Sequence, residues 1–269
     1  MAPALNQRVK VPGPRRCPLA GKLLTPLVLL ALAGCGAQPL SSCLSGAPVA
    51  GSSAPAPDQK PLVKPLPSSD EALVGLDGSG SMLGFLGTGS GEWLSMLQAL
   101  KLALTAQSLK PQLFRVGGST AVPLASVEAA RNRCFFSGCE GFAPVSSSLH
   151  TLWTLPTNPK GLPLRLMLSD LEVNDNDVND LVSAVRGDVQ KGAAIGVLGV
   201  KLPFDGSIFD SHGQTIHVGR AKRPLYLLVS GEAARVSKLL QSVRETLSLR
   251  GVPTQDLQIS MLGDRKSVV

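Results

Sequence analysis

An aspartate and two serines at a fixed spacing are the residues of this chain best suited to chemistry. The apolar run at residues 73–76 ends at Asp77, and Ser79 and Ser81 follow it, each preceded by a glycine. One carboxylate and two hydroxyls on a tight loop are oxygen ligands of the kind that Mg²⁺ prefers. The glycines allow the loop to fold back, so that both hydroxyls can point at one place. The spacing therefore predicts a divalent-cation site after a buried strand.

Two other interpretations of this loop stay open. One is an ordinary turn rich in serine and glycine that holds no ion. The other is a dinucleotide-binding loop, because Gly78, Gly80 and Gly84 form a loose G-x-G-x-x-x-G pattern. A dinucleotide loop needs a helix that begins within the glycines and an acidic residue about 20 residues later. The expected helix begins only near Glu92, and no acidic residue lies between it and Glu128, so the cation site is favoured.

The same loop resembles a known family. The run Asp77-Gly78-Ser79-Gly80-Ser81 matches the D-x-S-x-S pattern of von Willebrand factor A domains, which bind an ion at a metal-ion-dependent adhesion site. The resemblance implies that a later strand ends in a further aspartate and that a middle loop supplies a threonine. Asp170 follows the apolar run 164–169 and matches the aspartate. The resemblance thus implies a site built from three separate loops.

The sequence departs from the family's pattern at the threonine position. Ser147 takes it, with a hydroxyl of the same chemistry, although the alignment also allows Ser146 or Ser148. The resemblance implies Mg²⁺ or another divalent cation, with one coordination position open to an acidic side chain of a protein partner. The implied function is therefore binding and not catalysis. The implied ligands are Asp77, Ser79, Ser81, Ser147 and Asp170.

Apolar strands that alternate with amphipathic helices predict an α/β domain over residues 69–269. We expect a doubly wound, mostly parallel sheet with helices on both faces. One helix is expected over about residues 92–109, and Val178, Leu181, Val182, Val185 and Val189 form the apolar stripe of another. Ser230 is expected to cap a third helix. Residues 205–220 are expected to form a polar hairpin or loop insertion.

The N-terminus predicts export and lipid anchoring. Residues 1–34 carry five basic residues and no acidic residue, and they end in an apolar stretch, as in a signal peptide. The run Leu32-Ala33-Gly34-Cys35 resembles a bacterial lipobox, which implies cleavage before Cys35 and acylation of that residue. Residues 35–68, rich in proline, serine and alanine, are expected to form a disordered tether. The expected location is the cell envelope, at the outer membrane if the source is Gram-negative.

Charge and cysteine content add two expectations. Five of the 26 basic residues leave with the signal segment, so 21 basic residues face 19 acidic ones and no nucleic-acid partner is expected. Cys134 and Cys139 are close enough to close a disulfide, although unpaired thiols or half a metal site are alternatives. The state of Cys43 stays open.

Signals for an enzyme are poor. No G-x-S-x-G elbow and no G-x-x-x-x-G-K-[ST] loop occurs in the sequence. A serine hydrolase could use Ser79, His150 and Asp170 in the same crevice, but these oxygens are better explained as cation ligands. The alternatives to a working adhesion site are therefore a hydrolase or a scaffold whose metal site is vestigial.

Overall fold

Seven strands and four α-helices make up the part of the chain that the computed structural model describes, residues 68–87, 91–159, 161–173, 175–210, 212 and 214–262. These residues belong to one compact unit. The predicted signal peptide, Cys35, Cys43 and almost all of the tether lie outside them. The elements are β1 Ser68–Asp77, α1 Gly91–Ala106, β2 Lys110–Val116, β3 Val122–Leu124, α2 Arg133–Ser137, β4 Leu162–Ser169, α3 Asp175–Gln190, β5 Ala194–Phe209, β6 Thr215–Gly231, α4 Ala233–Leu249 and β7 Leu257–Leu262.

Short 3₁₀ helices fill several of the connections. They span Gly80–Leu86, Val127–Arg131, Leu149–Leu152 and Thr254–Asp256. The first of them begins inside the glycines after β1, where an open loop is expected from the sequence. No helix in the described part of the chain is long and apolar enough to span a membrane.

The sheet is mixed, and the prediction of a mostly parallel sheet is wrong. Its strand order is β3-β2-β1-β4-β6-β5-β7. Only β1–β2 and β1–β4 are parallel pairs, and the other four pairings are antiparallel. The reason is that β5 and β6 are joined directly, without a crossover helix, so β6 must return antiparallel to β5. The chain is therefore an α/β protein in which a long hairpin forms one half of the sheet.

Residues 205–220 belong to this hairpin. The sequence predicts a polar hairpin or loop insertion there, and these residues form the hairpin by extending β5 and β6 into strands of 16 and 17 residues. Apolar Ile216 and Val218 alternate with polar residues along β6, as in a strand with solvent on both faces. They are 66% and 71% exposed, whereas Ile208 on the paired strand β5 is partly buried against the core.

Helices cover both faces of the sheet, as predicted. On one face α1 and α4 pack against inward side chains such as Val74 and Leu76. On the other face Leu73 packs with Leu149 and with Leu181 of α3. Successive strand residues point to opposite faces, which is why neighbours in β1 belong to different clusters. Buried apolar side chains on both faces fix the strand ends where the candidate site lies.

The apolar stripe predicted for α3 is only half buried. Leu181 is buried and Val185 is partly buried, but Val178, Val182 and Val189 are 39%, 49% and 42% exposed. The reason is that Asp188, and not a valine, completes the buried side of the helix, with 3% of its surface exposed. A hydrophobic count along the sequence cannot reveal that a charged residue takes a core position.

Asp188 lies in a buried polar cluster that links four elements. Its carboxylate oxygens accept hydrogen bonds from Arg165 Nη1 at 2.7 and 2.8 Å, from Trp153 Nε1 at 3.0 Å and from Ser230 Oγ at 2.7 Å. Ser230 is therefore a buried residue of β6 and not the predicted helix cap. Glu232 caps α4 instead, because its carboxylate accepts from the backbone N–H groups at the start of the helix.

Gly84 allows the 3₁₀ helix after Asp77 to pack closely on β5. A Cβ at Gly84 would lie 2.3 Å from the Phe204 ring, which already contacts the Phe85 ring edge-on. We expect Gly84→Ala to lower the free energy of unfolding by about 1–3 kcal/mol through overpacking. Gly187 provides the matched control, because a Cβ there meets nothing within 4 Å inside α3. Gly187→Ala should stabilise the protein by about 0.5–1 kcal/mol in the same urea titrations, and equal effects of the two variants would contradict the packing argument.

Candidate metal site

The Asp77 carboxylate is buried at the end of β1 and is held on both oxygens. Its Oδ1 accepts from Ser79 N at 2.8 Å, and its Oδ2 accepts from Ser169 Oγ at 2.6 Å. The next residue is fixed as well, because Gly78 N donates to the Val116 carbonyl at 3.0 Å. Only 1% of Asp77 is exposed. The orientation of this carboxylate is therefore set by the surrounding chain.

The two serines after Asp77 bring their hydroxyls together. Ser79 Oγ and Ser81 Oγ lie 3.0 Å apart. The Ser81 hydroxyl also hydrogen-bonds the Asp170 carboxylate, which belongs to the loop after β4. The loop after β1 is thereby joined to the loop after β4 through side-chain oxygens, as the predicted site requires.

One carboxylate oxygen of Asp170 lacks a hydrogen bond. Oδ1 accepts from Glu172 N at 3.1 Å, whereas Oδ2 is buried without a hydrogen-bond partner. Arg223 Nη2 lies 3.3 Å from Oδ2 and forms an ion pair with it, and the same guanidinium pairs with Glu172. Buried acceptors without a hydrogen bond are rare in proteins and call for an explanation.

Two buried carboxylates are close enough to influence each other. Burial, and secondly the Asp170 carboxylate, raise the pKa of Asp77 from 3.8 to about 7. Burial also raises the pKa of Asp170, although the Arg223 guanidinium opposes this change. Two negative charges this close in a buried site are costly. A proton on one carboxylate, or a bound cation, removes that cost. The site is thus electrostatically suited to a positive ion.

Of three consecutive serines, two use their hydroxyls in hydrogen bonds within the protein. Ser146 Oγ donates to the Gly117 carbonyl at 3.2 Å, and Ser148 Oγ donates to Asp177 Oδ1 at 3.1 Å. Ser147 is 95% buried, and within the described part of the chain its hydroxyl forms no hydrogen bond. The hydroxyl that is free for a ligand is therefore the one that the sequence analysis placed at the threonine position.

A groove opens over these oxygens. It has a volume of about 360 Å³, and Ser79, Ser81 and Ser147 line it together with Phe209 and Asp210 at the end of β5. Asp77 and Asp170 are buried and do not line it. The hydroxyls thus lie between the groove and the buried carboxylates, which is where an ion would contact both.

Arg115 holds the loop after β1, and sequence analysis missed it. Its guanidinium is buried and donates to the carbonyls of Phe135 at 2.9 Å, Ala143 at 2.8 Å and Gly78 at 3.2 Å. Burial lowers the pKa of Arg115, and the Asp77 carboxylate opposes that change. The only signal in the sequence was a charged residue within an otherwise apolar strand segment, residues 113–116.

Cys134 and Cys139 form a disulfide that closes the segment packed against this arginine. The bond spans α2 and the turn after it. The guanidinium of Arg115 lies 5.3 Å from the Phe135 ring centre and 5.5 Å from that of Phe142. The disulfide therefore restrains a segment that contacts Arg115, and Arg115 in turn holds the loop after β1.

The residues of the alternative hydrolase triad are not assembled. Ser79 Oγ lies beside Ser81 Oγ, and no hydrogen bond joins His150 to Ser79 or Asp170 within the described residues. The His150 ring lies instead with Asp177 and Asp180. Within the described residues, His150 is therefore not placed as a general base for Ser79.

Comparisons with known proteins leave the family open. No protein-family model matches the chain, and neither a curated protein nor a solved structure matches it. The function therefore has to be inferred from the side chains of the site itself.

Proposed function

We propose that this protein is a cell-envelope lipoprotein whose α/β domain binds a protein partner through a Mg²⁺-dependent adhesion site. The observation that carries the proposal is the meeting of two buried carboxylates, one with an oxygen that lacks a hydrogen bond, with a cluster of loop hydroxyls. The proposed ligands are Asp77, Ser79, Ser81, Ser147 and Asp170.

The donor set fits a hard cation. All five side chains offer oxygen, with only two carboxylates, and Mg²⁺ is usually bound by one or two carboxylates while it keeps several waters. An ion would give Asp170 Oδ2 a ligand contact beyond its ion pair with Arg223, and it would offset the burial and the Asp170 charge that raise the pKa of Asp77. The Arg223 guanidinium does not replace such an ion, because it contacts Asp170 only at 3.3 Å and is shared with Glu172.

The groove favours a partner that reaches in with a side chain. An ion held by the five residues would leave a coordination position for a carboxylate from the partner, which is the binding chemistry implied by the von Willebrand factor A resemblance. Phe209 borders the groove and is 36% exposed, so apolar contact can accompany the ionic one. We also propose that the half of the sheet with β2, β1 and β4 corresponds to that family's fold, from which the β5–β6 hairpin departs.

The lipid anchor would present the domain at the membrane surface. The basic segment at residues 1–34 and the lipobox-like run ending at Cys35 support this part of the proposal. Several acyl chains on one residue would anchor the protein stably.

Thermal unfolding with and without Mg²⁺ tests the proposed site. We expect millimolar Mg²⁺ to stabilise the wild type, by about 2.7 kcal/mol at a concentration of one hundred times Kd. For a domain of this size that gain raises Tm by roughly 5–10 °C. Asp77→Ala should abolish the gain, because it removes a carboxylate ligand.

Asp210→Asn is the matched control, because Asp210 borders the groove but is not among the proposed ligands. It should keep the full Mg²⁺ response. A wild-type Tm that does not respond to millimolar Mg²⁺ would mean that the site is vestigial, and an equal response in Asp77→Ala would place the ion elsewhere.

A further inference from the structure

A second group of metal-binding side chains lies beside the candidate site. One ligand atom each of His150, Asp177 and Asp180 lies within 4.8 Å of the other two. His150 belongs to the 3₁₀ helix Leu149–Leu152, whereas the two aspartates belong to the first turns of α3. The cluster therefore forms only in the folded protein, where two separate elements pack together.

One ring nitrogen of the half-buried His150 lacks a hydrogen-bond partner. Its Nδ1 is buried without a hydrogen bond. No ion pair or hydrogen bond joins the ring to Asp177 or Asp180 within the described residues, although their atoms are within 4.8 Å. Acidic residues in the first turn of a helix are explained by the helix dipole, but a neighbouring histidine without a partner is not.

The spacing suits an ion held between the side chains. Typical distances from a metal to nitrogen or oxygen are about 2.0–2.2 Å, so ligand atoms on opposite sides of an ion are roughly 4 Å apart. The three ligand atoms lie within 4.8 Å of one another, which is close to that separation. Ser148 already orients one ligand, because its hydroxyl donates to Asp177 Oδ1 at 3.1 Å. Such support of a ligand by a neighbouring hydrogen bond is typical of metal sites.

We propose that His150, Asp177 and Asp180 form a second metal site, which takes a transition ion such as Zn²⁺ or Mn²⁺. An imidazole ligand selects these ions over Mg²⁺ and Ca²⁺, which prefer oxygen alone. Asp180 is exposed, so the ion can enter from solvent and complete its coordination with water. The two sites thus differ in chemistry, and the second does not depend on occupation of the first.

Titration of the full chain with Co²⁺, followed by its visible absorption and by displacement with Zn²⁺, tests this site. The Asp77→Ala substitution removes the first site, and we expect this variant to bind one equivalent of Co²⁺ at the second site. His150→Ala in that background should weaken binding at least tenfold, because it removes the nitrogen ligand. Asp180→Asn should weaken it as well, and this exposed position carries little risk to folding.

His217→Ala is the matched control, because His217 is exposed on β6 and outside the cluster. It should leave Co²⁺ binding unchanged. Unchanged affinity in either His150→Ala or Asp180→Asn would overturn the proposal, and so would the absence of any Co²⁺ binding in the Asp77→Ala background. The Mg²⁺ response of the wild type is read separately, so failure of the adhesion site is distinguishable from failure of this one.

Discussion

Replacement of Asp77 by asparagine is expected to stabilise the metal-free protein above neutral pH, although it removes a proposed ligand. Burial and the Asp170 carboxylate raise the pKa of Asp77 from 3.8 to about 7. Between these values the folded protein keeps a proton on Asp77 that the unfolded chain has lost. The free energy of unfolding of the wild type should therefore fall as the pH rises from about 4 to about 7, and stay low above that range.

The expected size of this loss is roughly 4 kcal/mol, the free energy that corresponds to a pKa near 7 in place of 3.8. An amide at position 77 carries no charge, so it should flatten the profile while its oxygen still accepts from Ser79 N. Urea unfolding in EDTA at pH 5 and pH 8 measures the part of this loss that falls above pH 5, about 2.7 kcal/mol. Asp70→Asn serves as control, because the Asp70 side chain is fully exposed and its replacement should leave the profile unchanged.

Millimolar Mg²⁺ should narrow the difference between the two proteins at pH 8, because a gain of about 2.7 kcal/mol at one hundred times Kd is smaller than the loss of roughly 4 kcal/mol. The wild type gains stability from the ion at pH 8, whereas Asp77→Asn lacks the charge that would hold it. A wild-type stability that stays constant between pH 5 and pH 8 in EDTA would contradict the raised pKa of Asp77, and with it the burial of this carboxylate beside Asp170.

Asp188→Ala is expected to lower the free energy of unfolding by about 3–5 kcal/mol, the usual cost of leaving one partner of a buried ion pair alone. Arg165 and Asp188 expose only 4% of their side chains each, and Arg165 Nη1 contacts both carboxylate oxygens. Trp153 and Ser230 lose their acceptor at the same time. Urea unfolding at neutral pH measures the loss.

The double variant Arg165→Met with Asp188→Leu is the matched control for this pair. Apolar replacement of both partners removes the unpaired charge, and such replacements are often neutral or stabilising. We expect it to recover most of the loss seen in Asp188→Ala. A loss below about 1 kcal/mol in the single variant would show that water reaches Arg165 and replaces the carboxylate.

The positions of the two site aspartates could be predicted from the sequence, because each ends a clear apolar run. Asp77 is the last residue of β1, and Asp170 follows β4. The two strands are parallel neighbours, so these side chains meet at the carboxyl ends of the strands. Ser147, the residue predicted at the threonine position, lines the same groove as Ser79 and Ser81. Local sequence suffices for these features because strand ends, turns and helix starts depend on nearby residues.

The order of the strands and the buried arginines could not be predicted in the same way. The sequence does not show that β6 inserts between β4 and β5, because pairing depends on contacts between distant segments. Arg115 and Arg223 are charged residues in apolar surroundings, and their partners are distant in the sequence. Asp170, for example, lies 53 residues before its partner Arg223. Only the folded chain reveals which carbonyls and carboxylates surround them.

The length of the β5–β6 hairpin has a consequence for the stiffness of the groove. Beyond Val200 on β5, the last residue paired with β7, and before Tyr226 on β6, the first paired with β4, the two strands pair only with each other within the described residues. A two-stranded ribbon is weakly supported compared with a wider sheet. Glu172 ties its end to the sheet, because it accepts from Phe209 N at 2.8 Å and pairs with Arg223. The ion-binding side of the groove therefore rests on the rigid core, whereas the width of its entrance varies with the bending of a ribbon that this carboxylate and the packing of Phe204 on Gly84 restrain.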